Sequence, residues 1–301
     1  RYVENVAEGA DAERVIREMA RDGVDLIITP SFGYMEPTLR VAAEFPQARF
    51  ESITGYKRAA NVATANARYY EGRYLAGVAA GRVSKSHVAG YVAGFPIPEV
   101  LQGINAFTQG MRSVRPDAQV KVIWLHAWFD PAREREAAMT LMNQNADVLA
   151  FHTGSNAVMV AAQERGRWAV AYHSDMRDVA PTAQLLAVTH HWGDYYTQRA
   201  RDLMQGQWTS TDTWGGVKEG MVKVQAFGKT VPAPVRREVL ARRDDIAAGR
   251  LHPFRGPLID QDGKTVLPAG EVMSDERIRS MDFLVAGVSP RLPRSPAPRT
   301  P

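Results

Sequence analysis

The sequence predicts an α/β fold of two lobes, each a parallel sheet covered by helices, and three observations predict it. Short apolar runs alternate with helical stretches of ten or more residues, the pattern of parallel strands joined by crossover helices. With 301 residues, 45% of them apolar, the chain is near the upper limit of one undivided core and long enough for two. An internal echo also runs through it: Met19–Gly33 parallels Leu141–Ser155, about 120 residues later. Each stretch is a helix end, an Asp (Asp25, Asp147), an apolar run, and a polar loop with Gly and Ser. Any two αβ units share this grammar, so the echo supports two similar lobes without requiring them.

The elements follow in order. Asp11 is a candidate N-cap; Val15, Ile16, Met19 and Ala20 then fall on one helical face, and Gly23 ends the helix. Val24–Thr29 reads as a buried strand. The cycle repeats with a helix at Pro37–Ala43, a strand at Ala48–Ser52, a long loop to Asn66 and a helix at Tyr69–Val83. A second series has strands at Val88–Ala93, Val120–Leu125, Val148–Phe151, Trp168–Tyr172 and Gln184–Thr189, with helices at Glu99–Val114, Ala132–Gln144 and Asn156–Arg165 between them. A helix beyond Trp192 runs to about Gln205. A less regular tail holds a strand at Gly220–Val224, a charged helix at Pro234–Ala248 and a hairpin turning at Gln261-Asp262-Gly263. From Ser289 onward almost nothing can be buried, and residues 289–301 are expected to be disordered. Arg1–Val6 reads as the end of a strand, without an initiator Met or signal peptide. The expectation is that upstream sequence, including a first strand of lobe 1 and the targeting information, precedes it.

Composition excludes several functions. The net charge is only +4, and part of the Arg surplus (Arg291, Arg294, Arg299) lies in the last dozen residues, so the pI of about 9.3 is no sign of nucleic-acid binding. There are no cysteines, hence no disulfide, thiolate-zinc site or cysteine nucleophile. No run of eighteen apolar residues exists to span a membrane. No dinucleotide fingerprint follows a strand. Gly228-Lys229-Thr230 and Gly263-Lys264-Thr265 look like P-loop endings, but Lys223 and Leu258 stand where the first Gly is required. No catalytic motif identifies an enzyme, and no cofactor is called for.

In open parallel sheets, ligands bind beyond the carboxyl ends of the strands. That rule selects the loops at Ser31–Tyr34, Thr54–Asn66, Phe95–Pro98, His126–Asp130, His152–Ser155, His173–Met176 and His190–Trp192. Aromatic residues (Phe32, Tyr34, Phe95, Trp128, Phe129, Trp192) recur there beside hydrogen-bonding groups (Ser31, Thr153, Ser155, Asp175), and Tyr69, at the next helix start, and His152 join them as candidate ligand contacts. This mixture suits a flat heterocycle stacked between rings and read along its edge. Aromatics at a sheet edge also cap the core, so the set carries more weight than any one ring. Asp175 is the strongest single candidate, since a carboxylate there accepts from an amino group or sugar hydroxyls; its other role is an N-cap. Glu71 is a second, although a carboxylate in the first turn of a helix also complements the macrodipole. His126, His152 and His173 end successive strands, but no supporting carboxylate is identifiable and no metal site is assigned.

These loops resemble the basic membrane protein (BMP) family of ABC-transporter substrate-binding proteins, which bind purines or purine nucleosides. The resemblance rests on Gly23–Ile28 with Ser31–Met35, Tyr70–Gly77, Gly90–Gly94 with Pro96–Val100, Gly103–Gly110, Trp128–Pro131 and Ser174–Met176, across Arg1 to about Gly287. It implies a periplasmic-binding-protein-like fold of type I, two Rossmann-like lobes joined by a hinge, and a purine sandwiched by aromatics and buried as the lobes close. Lobe 1 would hold 1–85 plus about 189–212, and lobe 2 would hold 86–188 plus about 213–288. By resemblance the residue at Asp175 contacts the ligand. Nucleoside-binding members carry a Lys where His190-His191-Trp192 stands here, which favours a free base such as adenine. The resemblance further implies a monomer that serves a membrane permease, in the periplasm or as a cell-surface lipoprotein. A ligand-sensing regulatory domain of the same fold, and a purine-processing enzyme, are the rival readings.

Overall fold

A computed structural model of the chain describes residues 1–292. In chain order its helices are α1 (Ala10–Arg21), α2 (Met35–Glu44), α3 (Tyr69–Val83), α4 (Pro98–Arg112), α5 (Pro131–Asn143), α6 (Ala157–Glu164), α7 (Trp192–Met204), α8 (Ala233–Ala247) and α9 (Asp275–Arg279). Its strands are β1 (Leu26–Thr29), β2 (Arg49–Ile53), β3 (Val62–Ala67), β4 (Val88–Ala93), β5 (Gln119–Trp124), β6 (Val148–His152), β7 (Trp168–His173), β8 (Gln184–His190), β9 (Asp212–Gly215), β10 (Val222–Gln225), β11 (Leu258–Ile259), β12 (Thr265–Leu267) and β13 (Val288–Ser289). The α/β class is as the sequence predicts. The contacts divide the chain into a first unit, 1–68 with 191–216, and a second, 69–190 with 217 onward.

The first unit is a four-stranded parallel sheet in the order β1-β2-β3-β9. Its core, which includes Ile16, Ala20, Ile27, Val41, Phe50 and Val62, forms where the apolar stripes of α1 and α2 meet the sheet. The returning segment is anchored by a buried carboxylate. Glu51 on β2, with no exposed surface, accepts hydrogen bonds from Arg199 Nε at 2.6 Å, Trp208 Nε1 at 2.7 Å and Tyr195 Oη at 2.7 Å.

The second unit is a seven-stranded sheet in the order β10-β8-β7-β6-β4-β5-β13, parallel throughout except that β10 runs antiparallel to β8. Helices α3 and α4 pack together at backbone distance. A Cβ added to Gly77 would lie 2.0 Å from the Phe107 carbonyl oxygen, and one on Gly110 would lie 2.0 Å from that of Tyr74. Only glycine permits this approach. The C-terminal extension is tied to α4 by two buried amides. Gln102 Nε2 donates to the Ile278 carbonyl at 2.7 Å, while Asn105 donates to the Phe283 carbonyl at 2.8 Å and accepts from Val285 N–H at 2.9 Å.

Several expectations are corrected. Helix α3 belongs to the second unit, so the boundary expected at 85 falls at 68, and the glycine contact with α4 is the reason. The loop expected up to Asn66 contains β3, held in the middle of the first sheet. Arg1–Val6 is not a strand; Tyr34 Oη donates instead to the Val6 carbonyl. Helix α1 starts at Ala10 behind Gly9, so Asp11 lies inside the first turn rather than capping it. The disorder expected from 289 is contradicted at its start: Ser289 pairs with Lys121, and Gln261 Nε2 donates to the Pro290 carbonyl at 3.0 Å. Residues 293–301 lie outside the described residues.

Gly77→Ala and Gly110→Ala should each destabilise the protein by about 1–3 kcal/mol or more, the cost of forcing added carbon into a packed core. Gly193→Ala on α7, whose added Cβ meets nothing within 4 Å, should change stability by less than about 1 kcal/mol. Equilibrium urea unfolding of the three variants checks the contrast.

Candidate functional site

The consecutive strand order of the second sheet reverses at the neighbouring strands β4 and β6, and such a switch point leaves a crevice beyond the strand ends. Aromatic and imidazole rings collect there from α3, β6, β7 and β8 and from the loops after β4 and β5. Phe95 follows β4 and Trp128 follows β5, with ring centroids 4.9 Å apart. His152, the last residue of β6, lies 6.1 Å from Trp128 and 4.8 Å from Tyr172 of β7. Tyr69, the first residue of α3, meets His190 of β8 edge-on at 4.5 Å and Tyr172 at 6.5 Å. His173 and His190 face each other, with their Nδ1 atoms 3.1 Å apart.

These edge-to-face and tilted contacts fix the rings against one another. The backbone adds constraint, since His126 and His173 hold left-handed conformations at φ +52 and +68. Such conformations cost of order 1–3 kcal/mol each and cluster at functional sites. His152 is buried, with Nε2 3.2 Å from Tyr172 Oη and 3.4 Å from a Glu99 carboxylate oxygen. Burial pushes its pKa below the ordinary histidine range, against the pull of Glu99. The buried Tyr172 hydroxyl is pushed well up and keeps its proton.

The structure sorts the predicted residues. Tyr69, Trp128 and His152 come together in the ring cluster. Thr153 and Ser155 are turned away from solvent: both hydroxyls donate at 2.7 Å to the same carboxylate oxygen of Glu134, a residue with no exposed surface. Glu134 also accepts from Asp130 N–H at 3.1 Å, and Gly154 N–H donates to the Trp128 carbonyl at 2.7 Å. The hydroxyls therefore lock the loops that carry Trp128 and His152. Asp175 is exposed and engaged by Arg177, whose guanidinium holds the carboxyl below its usual range, and by Gln184 Nε2 at 2.9 Å. Glu71 accepts from Val217 N–H at 2.7 Å, which ties α3 to the point where the chain re-enters the second unit.

Three predicted residues lie in the first unit. Ser31 donates to Glu8 at 2.7 Å, Phe32 lies 6.3 Å from Tyr56, and Trp192 stacks on Tyr196 one helical turn on, at 6.0 Å and 15°. Sequence reasoning missed Tyr172, Glu99, Arg73 and Glu134. Only Tyr172 had a readable signal, as the inward neighbour of a strand-end histidine.

Rings gathered at a switch point of a parallel sheet mark a place where a small molecule can bind. A family model described as "Bmp: ABC transporter substrate-binding protein PnrA-like" matches residues 1–247, and the chain belongs to this family. It is 48% identical over 293 residues to a purine-binding protein of Brucella abortus (strain 2308), covering 97% of this chain and 83% of that protein. It is 36% identical to a putative ABC transporter glucose-binding protein, TsgA13, of Haloferax volcanii, covering 97% of this chain and 72% of that one. Among solved structures, an ABC transporter solute-binding protein of Aeropyrum pernix K1 superposes with a TM-score of 0.70 at 20% identity, over 81% of this chain and 80% of that one. At that identity the likeness shows the fold, and the fold is that of periplasmic-binding-protein-like structures. As an ABC-transporter substrate-binding protein, the chain is a solute receptor rather than an enzyme. It acts outside the cytoplasm with a small-molecule ligand and a membrane permease as its partners.

Because His152 has a lowered pKa when folded, the unfolded chain binds more protons once the pH falls below the ordinary value of about 6.5. The stability contributed by neutral His152 is thus fully present above that value and is lost as the pH falls. Urea unfolding should show a lower midpoint at pH 5.0 than at pH 7.5, and His152→Gln should shrink the difference. An undiminished difference in the variant would assign the effect elsewhere.

Proposed function

We propose that the chain receives a purine base, adenine foremost, for delivery to the permease of an ABC importer. The observation that carries this reading is the ring cluster at the β4/β6 switch point. Phe95 and Trp128 offer faces for a flat heterocycle, and each neutral imidazole offers one donor and one acceptor. A purine edge presents the same alternation of donors and acceptors. Further support comes from the Brucella relative, whose name is that of a purine-binding protein. His190-His191-Trp192 puts no ammonium group at the end of β8 to engage a ribose, and the base is accordingly favoured over the nucleoside. The receptor acts as a monomer, in the periplasm or lipid-anchored at the cell surface.

A second reading is a sugar receptor, favoured by the Haloferax relative named as a putative glucose-binding protein. Aromatic faces serve a sugar ring as well as a base. Isothermal titration with adenine, adenosine, guanosine, ribose and glucose separates the two. Adenine should bind tightly and adenosine at least tenfold more weakly, with the ligand recovered unchanged. Trp128→Ala should weaken adenine roughly tenfold to a hundredfold, the measure of one stacked base at about 1–3 kcal/mol. Binding of glucose with no response to any purine would replace the purine reading with the sugar one.

A further inference from the structure

Strand β4 stands between β5 and β6 in the second sheet, so the loops after β5 and β6 form the two walls of the switch-point crevice. Trp128 stands on the first loop, and the second leaves from His152. One buried side chain reaches both. Glu134 lies in the first turn of α5 and has no exposed surface. On the β5 side its Oε1 accepts from Asp130 N–H at 3.1 Å. On the β6 side its Oε2 accepts from the Thr153 and Ser155 hydroxyls, each at 2.7 Å.

The backbone is close-fitted at the same place. Gly154 N–H donates to the Trp128 carbonyl at 2.7 Å, and a Cβ on Gly154 would lie 3.3 Å from that carbonyl oxygen. A Cβ on Gly94, just past β4, would lie 2.7 Å from the Trp128 ring. The indole therefore rests against the backbone that follows β4, and the tie to the opposite wall decides how far it stands from His152. A carboxylate is costly to bury, and an apolar side chain of similar volume often serves stability as well or better. Three donors and the positive end of α5 offset the cost here. What the carboxylate supplies, and an apolar residue cannot, is an acceptor directed at each wall.

We infer that Glu134 is a positioning residue for ligand recognition, which spans the crevice and fixes the separation of the walls carrying Trp128 and His152. It is closed off from solvent and so acts through its two loops rather than on the ligand. The inference rests on the reading of the ring cluster as the ligand site. Glu134→Gln is the discriminating change. It keeps the volume, and its carbonyl oxygen can still accept from both hydroxyls, but its amide nitrogen then meets Asp130 N–H donor to donor. Thr153→Val, of similar shape, removes one tie on the other side, and Thr153→Ser keeps a hydroxyl there.

Amide hydrogen exchange of the whole protein, read by mass spectrometry, tests the walls without a ligand. Residues 126–130 and 152–156 should exchange about tenfold faster in Glu134→Gln than in the wild type, with the core strands unchanged. Equal protection of those loops overturns the inference. Isothermal titration then uses adenine, or glucose if that is what the wild type binds. Affinity should fall about tenfold in Glu134→Gln and in Thr153→Val, and Thr153→Ser should recover most of the Thr153→Val loss. Full affinity in Glu134→Gln, measured where circular dichroism shows the variant folded, overturns the positioning role and leaves Glu134 a purely structural group. A wild type that binds neither ligand defeats the purine and sugar readings alone, because the exchange measurement still decides whether Glu134 holds the two walls.

Discussion

The backbone contact between α3 and α4 is the constraint on which the second unit depends. Gly77 lies against the Phe107 carbonyl and Gly110 against that of Tyr74, so the two helices meet with no side chain between them. This approach sets α3 along the sheet with its first turn beyond the strand ends. Tyr69 can then meet His190 and Tyr172, Arg73 can lie across the Tyr172 ring, and Gly103 of the facing helix can border Arg73. Larger residues at either glycine would lift α3 away and separate the ring cluster from the strands that carry it.

The same contact explains where the sequence misleads. An amphipathic helix shows its buried face as a stripe, but Tyr69–Val83 is buried almost all round, packed by α4, β8, β10 and α8. A helix without a polar face gives no clue to which neighbours cover it, and assignment by chain proximity put it in the wrong unit. Strand β3 was illegible for another reason. Val62–Ala67 reads VATANA, whose small residues lack the β-branched and aromatic bulk that marks a strand, and it is held by neighbours on both sides. The other core strands were legible because their apolar runs are dense and punctuated by Gly, Pro and polar loops.

At the site, topology was easier to read than chemistry. The rule that ligands sit beyond parallel strand ends selected the loops of Trp128 and His152 without any contact being known. It could not say what each polar side chain does there. Thr153 and Ser155 look like ligand groups in sequence because a hydroxyl near a strand end suits either role. In the structure both donate to Glu134, a helical glutamate in a charged stretch that reads as solvent-exposed surface. For Asp175, too, the fold adds what the sequence withholds: Arg177 and Gln184, both close in sequence, donate to its carboxylate.

The chemistry of the ring cluster follows from how its charges are disposed. Arg73 lies against the Tyr172 ring, and burial, with a smaller contribution from its positive charge, discourages protonation of His152 and His173. Glu99 opposes that effect at one histidine only. The rings therefore present neutral hydrogen-bonding edges backed by a cation that they never contact through a carboxylate. On the purine reading, a neutral aromatic heterocycle meets donors, acceptors and ring faces there, whereas a cationic ligand meets Arg73 behind the rings and Glu99 beside His152. A buried arginine against one ring and a carboxylate beside one histidine thus set the charge balance of the ring cluster, before any edge contact is considered.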